Sequence, residues 1–271
     1  MWSFGWRLIK RYGDPYVARQ TFARQPSSDA QLAEIRRRPN WISDPFEVAP
    51  GVTLDGIVHQ PNNPSRPWVL YFHGNAESGL VDAIQTYERL ELGADWGFAA
   101  WTYRGYGRST GESTKDSIRA DAVRMVERLF ERWRITPAQL RLYGFSLGTA
   151  PATHVGMVLS QRNQTPAGAV FVATGFRQNT WIRSLLYDVS SETWRRDAIR
   201  CPILIVHGLL DSIHAHAAAL EDYSALHKTD SEFLLFRAGH DVVILPQAAR
   251  RVREFIEHPE ARQNSLPQNS P

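Results

Sequence analysis

Ser146 stands at the centre of Gly144-Phe145-Ser146-Leu147-Gly148, between an apolar run and a helix-forming stretch. Residues 140–145 predict a short buried strand, and residues 147–160 predict a helix. A serine in so tight a strand-to-helix turn has a strained backbone crowded by neighbouring strands. Small residues are then needed two places before and two places after it, and Gly144 and Gly148 supply them. Such a turn exposes the hydroxyl and leaves the next N–H at a helix N-terminus, where a negative oxygen is stabilised. A neutral hydroxyl is a poor nucleophile, so attack on a carbonyl needs a base nearby to take its proton. The pentapeptide alone fits a glycine-flanked surface turn equally well; the elements around it must decide.

Those elements alternate. Residues 68–72, 97–103, 140–145, 169–173, 203–206 and 233–236 read as strands. Residues 78–92, 116–133, 147–160, 214–227 and 247–257 read as helices. Ile118, Ala122, Val126, Leu129, Phe130 and Trp133 recur at helical spacing, and Pro246 suits a first helical turn. Ser113 and Asp116 have the spacing of a capping box. Residues 46–60 contain two strand-like pieces around Pro50-Gly51, a hairpin signal. Continuous Val/Ile/Leu-rich strands separated by helices predict an α/β fold: a mainly parallel sheet with helices on both faces.

A parallel sheet presents its functional loops at the carboxyl ends of its strands. In order, those ends carry His73-Gly74-Asn75-Ala76, then Arg104-Gly105-Tyr106-Gly107-Arg108-Ser109, then the serine turn. The later strands lead into His207-Gly208-Leu209-Leu210-Asp211 and Gly239-His240-Asp241. A nucleophile, a carboxylate and a histidine thus fall at one edge, in the chain order Ser, Asp, His.

Taken together these five motifs resemble the α/β-hydrolase superfamily, and most closely its compact serine hydrolases. Their strands end in His-Gly-Asn, Tyr-Arg-Gly-Tyr-Gly-x-Ser, G-x-S-x-G, His-Gly-x-x-Asp and Gly-His. The resemblance runs from about Pro67 to Ile256. It implies Ser146 as nucleophile, Asp211 as the acid of a triad and His240 as base, with the backbone N–H groups of Asn75 and Leu147 forming an oxyanion hole. It implies a carboxylic-ester or thioester hydrolase acting through an acyl-Ser146 intermediate, with no cofactor and no metal. A serine peptidase or amidase of the same fold, and a catalytically silent binding protein, remain alternatives. Two positions depart from the pattern: Thr102 stands where Asp is usual, and Ala173-Thr174-Gly175-Phe176 replaces a Ser-Pro-Phe-like segment, which bears on the substrate pocket.

For the acid, Asp241 and Asp188 compete with Asp211. Asp241 adjoins His240, and sequence neighbours seldom point at one another. Asp188 lies after the sixth strand, where triad acids migrate. His73 and His207 are expected to shape their loops rather than ligate metal, because no partners show metal spacing. His214 and His216 are expected to be solvent-exposed on a helix. Tyr103 and Tyr106 suit either pocket lining or plain packing. Gly105 and Gly107 are followed by no Gly-Lys-Ser/Thr, so they do not point to nucleotide binding.

Length and composition allow one hydrolase-sized domain, expected at 46–258, with a basic N-terminal extension at 1–45 and a disordered tail at 259–271. A net charge of +3 with dispersed arginines argues against a nucleic-acid partner. The single cysteine, Cys201, reads as a buried structural thiol and suits a reducing, cytoplasmic setting. No apolar run approaches the ~18 residues of a membrane span. Trp2, Phe4, Trp6, Leu8 and Ile9, followed by Lys10 and Arg11, suit either packing against the domain or peripheral membrane contact. Only about 26 residues (175–200) separate the sixth and seventh strands, so a small lid including 180–186 is expected. Trp181, Ile182, Leu185, Leu186, Tyr187 and Trp194 give that segment an apolar character, which suits a small-molecule acyl ester or thioester.

Overall fold

Apolar runs of five or six residues become the central strands of one sheet, because they can be covered on both faces. The computed structural model describes residues 33, 37–75, 79–174, 198–226 and 230–260. In chain order the elements are β1 (Trp41–Ser43), β2 (Phe46–Ala49), β3 (Val52–Leu54), β4 (Gly56–His59), β5 (Trp68–Phe72), α1 (Leu80–Arg89), β6 (Gly97–Trp101) and α2 (Lys115–Arg132). They continue with β7 (Leu140–Phe145), α3 (Thr149–Gln161), β8 (Gly168–Val172), β9 (Ile203–Gly208), α4 (His216–Leu226), β10 (Ser231–Phe236) and α5 (Pro246–Glu257).

Eight strands form the main sheet in the order β1-β4-β6-β5-β7-β8-β9-β10, while β2 and β3 make the separate hairpin expected around Pro50-Gly51. Strands β5 to β10 run parallel to their neighbours, whereas β1 and β4 are antiparallel. Within β5 the side chains alternate between faces. Trp68, Leu70 and Phe72 join the core under α2 and α3, while Val69 and Tyr71 join the core under α1 and α5. Full burial of each such side chain contributes roughly 1.5–3 kcal/mol, so the central strands anchor the sheet.

The domain starts earlier than the expected boundary at 46. Trp41–Ser43 pairs with β4, inside the stretch read as an extension. Trp41 packs edge-on against His59, Tyr87 and Phe98, and buried Asp44 holds Arg128 and Arg132 of α2 at 2.7 and 3.1 Å. A three-residue strand carries too little alternation to be visible in sequence.

The capping box also shifts by one residue. Thr114 caps α2, accepting from the Ser117 N–H at 3.0 Å, and Ser117 Oγ accepts from the Thr114 N–H at 2.8 Å. Ser113 instead donates to the Arg104 carbonyl, and Asp116 lies in the first turn. The expected lid at 180–186, Phe176, the aromatic side chains at 181–194, the N-terminal aromatic cluster and residues 261–271 lie outside the described residues. No described helix is long and apolar enough to cross a membrane.

Candidate active site

At the carboxyl end of β7 the chain turns sharply through a short 3-10 turn, Ser146–Gly148, into α3. Ser146 has φ +49°, a left-handed conformation strained for a residue with a Cβ. A Cβ on Gly148 would sit 2.0 Å from the Phe72 carbonyl oxygen, and one on Gly144 would sit 2.6 Å from the Gly148 oxygen. Both glycines are therefore steric requirements, as the pentapeptide implied. Thr149 Oγ1 donates to the Ser146 carbonyl at 2.8 Å and fastens the turn.

The loops after β9 and β10 meet beside that serine. Leu209 N–H donates to the Phe236 carbonyl at 2.7 Å, and Leu210 N–H to the Ala238 carbonyl at 2.9 Å. A Cβ on Gly208 would lie 2.1 Å from the Gly239 oxygen, so only glycine lets these backbones approach so closely. This contact carries His240 to Asp211. Ser146 Oγ lies 2.9 Å from His240 Nε2, and His240 Nδ1 lies 2.8 Å from Asp211 Oδ2. A carboxylate only accepts, so the ring proton belongs on Nδ1 and the Nε2 lone pair faces the hydroxyl.

Asp211 is anchored on its other oxygen, where Oδ1 accepts the N–H groups of Ile213 at 2.8 Å and His214 at 2.9 Å. Burial pushes its carboxyl pKa up, but the His214 amide, the His240 ring and the Ile213 amide together hold it below the usual value. The expected trio of Ser146, His240 and Asp211 is thus brought together. Asp241 is not part of it, because its Oδ2 pairs with Arg89 at 2.9 Å. Asp188 lies outside the described residues.

His214 departs from expectation. It precedes α4 rather than lying on it, is half-buried, and its ring centroid is 5.4 Å from that of His240. His207 is fully buried, with Nε2 2.9 Å from the His214 carbonyl and 3.4 Å from Asp211 Oδ2, so it holds the carboxylate loop from beneath. Burial lowers its pKa and keeps it neutral. Only the spacing of His207 from Asp211 hinted at this in sequence.

His73 is also buried; its pKa is lowered from 6.5 to about 4 by burial, against the opposing Gly74 carbonyl. Asn75 follows it in the loop expected to supply an oxyanion amide, with Leu147 directly after the serine supplying the other. At the departing position 102, Thr102 Oγ1 bonds Ser109 Oγ at 2.7 Å. Among the described residues no group of three or more His, Cys, Asp or Glu is set to hold a metal ion.

Known proteins with similar sequences and folds bear on this arrangement. No family model matches the chain. Alpha/beta hydrolase domain-containing protein 17C of Xenopus tropicalis is 25% identical over 201 residues, 72% of this chain and 63% of that protein. Protein ABHD12B of Homo sapiens is 34% identical over 124 residues, 45% of this chain and 33% of that protein. The chain spans less than two thirds of the length of either relative. Among solved structures, the Pyrococcus furiosus esterase Pf2001 superposes with a TM-score of 0.67 at 16% identity, over 88% of this chain and 97% of that one. The sheet order and this superposition give the chain the α/β-hydrolase fold, and its sequence is similar to alpha/beta hydrolase domain-containing proteins.

Proposed function

We propose that this chain is a serine hydrolase that cleaves an ester or thioester of an apolar acyl group. The observation that carries this reading is the unbroken relay from Ser146 Oγ through His240 to an Asp211 carboxylate fixed by two main-chain amides. In the first step Ser146 Oγ bonds to the substrate carbonyl carbon and its proton passes to His240 Nε2. The carbonyl electron pair moves onto oxygen, where the N–H groups of Leu147 and Asn75 would receive it. Collapse breaks the bond to the alcohol or thiol, which leaves with the His240 proton. Water then attacks the acyl-Ser146 carbonyl, giving its proton to the same nitrogen. The second collapse returns that proton to Oγ and frees the carboxylic acid. Throughout, Asp211 stabilises the transient imidazolium and holds its tautomer.

An apolar acyl group is supported by the surroundings of the relay. Leu209 (41% exposed), Leu210 (59%), Ile213 (53%) and Ile244 (62%) all lie within four positions of Asp211 or His240. Such exposed aliphatic surface suits hydrocarbon better than charge. The Pyrococcus relative is named an esterase, which is the activity class adopted for this chain.

The reading predicts that a fluorophosphonate labels the protein at Ser146. Ser146→Ala should lose labelling and at least ~10³-fold of p-nitrophenyl butyrate turnover while keeping its melting temperature. Undiminished turnover in that variant refutes the assignment. Turnover of amino-acid amides in preference to oxygen esters and acyl thioesters would instead make the protein an amidase.

A further inference from the structure

The loop between β5 and α1 is held by side chains of the next loop. Tyr103 Oη donates to the His73 carbonyl at 2.9 Å. The Tyr103 N–H meets His73 Nε2 at 3.3 Å, which makes that nitrogen an acceptor and places the ring proton on Nδ1. His73 Nδ1–H then donates to the Gly74 carbonyl at 2.7 Å. In a trans peptide the carbonyl and the following N–H point in opposite directions, so fixing the Gly74 oxygen turns the Asn75 N–H away from the His73 ring. The Asn75 side chain is fixed separately: Tyr106 Oη donates to its Oδ1 at 2.5 Å.

Tyr106 is itself enclosed by its neighbours. It is 1% exposed, its ring stands edge-on to His73 and Tyr103 at 5.3 and 5.7 Å, and the turn of residues 103–109 closes around it. That turn is made by Tyr106 N–H to Tyr103 carbonyl at 3.0 Å and Ser109 N–H to Tyr106 carbonyl at 2.9 Å.

We propose that Tyr106 is a positioning residue for the oxyanion amide of Asn75: its buried hydroxyl clamps the Asn75 side chain, so the backbone N–H is aimed before substrate arrives. This rests on the acyl-serine reading above. A donor stabilises developing charge most when it needs no reorganisation at the moment of reaction, and a locked supporting shell supplies that condition. If the tyrosine served only as packing, its ring would matter and its hydroxyl would not.

Tyr106→Phe keeps the ring and removes the clamp, and Asn75→Ala removes it from the other side while keeping the backbone amide. With p-nitrophenyl butyrate, each single variant should lose about tenfold in kcat with KM changed less than about twofold, between the loss of one hydrogen bond and of a whole oxyanion donor. Inhibition by butylboronic acid, which mimics the tetrahedral state, should weaken in parallel with kcat. Melting temperatures should stay close to wild type. The double variant should be no worse than Asn75→Ala within about twofold, because both substitutions break one contact. A wild type that labels at Ser146 while Tyr106→Phe keeps full kcat, or losses that multiply in the double variant, overturns the inference alone. A wild type that neither labels nor turns over overturns it together with the parent reading.

Discussion

At the scale of single residues, the choice of acid rests on geometry that Asp211 has and Asp241 lacks. Asp211 has one oxygen occupied by two main-chain N–H groups and the other facing His240. In Asp211→Asn the amide oxygen should therefore take the place of Oδ1, leaving the NH₂ against His240 Nδ1. Two donors would then face each other unless the ring proton moved to Nε2, where it would block attack. We expect kcat to fall by roughly 10⁴ with the protein still folded. Asp241→Asn should leave kcat within about threefold, since it releases only a half-exposed pair with Arg89 whose contribution is modest. Pre-steady-state and steady-state turnover of p-nitrophenyl butyrate separate the two; equal losses in both variants would sink the assignment of Asp211.

At the scale of elements, the serine turn works because β5, β7 and α3 crowd one another through glycine. Adding a single methyl at Gly148→Ala would drive Cβ into the Phe72 backbone at 2.0 Å, which no side-chain movement relieves. That substitution should cost more than about 4 kcal/mol of stability. Gly156→Ala, on the helix that follows, is the control. Its Cβ would meet Ile199 at 3.5 Å, an ordinary contact, and it should be neutral or stabilising by up to about 1 kcal/mol. Urea unfolding of both variants tests the pair, and similar midpoints would contradict the crowding argument. The need for Gly148 was legible in sequence because the G-x-S-x-G motif marks the position, although its crowding partner Phe72 lies on another strand. The equal need for Gly208, 2.1 Å from the Gly239 oxygen, was not, because its His-Gly-x-x-Asp run carries no such steric signature and only folding brings the loop after β10 against it.

At the scale of the whole molecule, four of the described histidines are folded with lowered pKa values. Burial is the leading cause for His73, which falls to about 4, and for His59, His154 and His207. The unfolded chain takes up these protons first, so stability is complete above pH 6.5 and declines as pH falls from there towards about 4. His73 alone should account for roughly 3 kcal/mol of that loss. Asp211, with a lowered carboxyl pKa, adds a second loss only below its unfolded 3.8. Urea unfolding at pH 7.5 and pH 4.5 should therefore differ by several kcal/mol, and a flat profile across that interval would contradict the buried neutral state of His73.

The alternation of apolar runs, the glycines around Ser146 and the short motifs that close β7, β9 and β10 were all legible in the linear chain, since each is a pattern of residues within a few positions of one another. They were enough for the fold class and for naming a candidate nucleophile and base. What only folding decided were the relations between distant residues. Asp241 is committed to Arg89 across 152 positions, His240 reaches Ser146 across 94, and β1 joins the sheet through β4. His207 under the carboxylate and Tyr106 against Asn75 belong to the same class. A side chain's chemistry is a local property, but its partner is chosen by loop closure and sheet register. Both arise from the packing of the whole domain, and no stretch of sequence encodes them by itself.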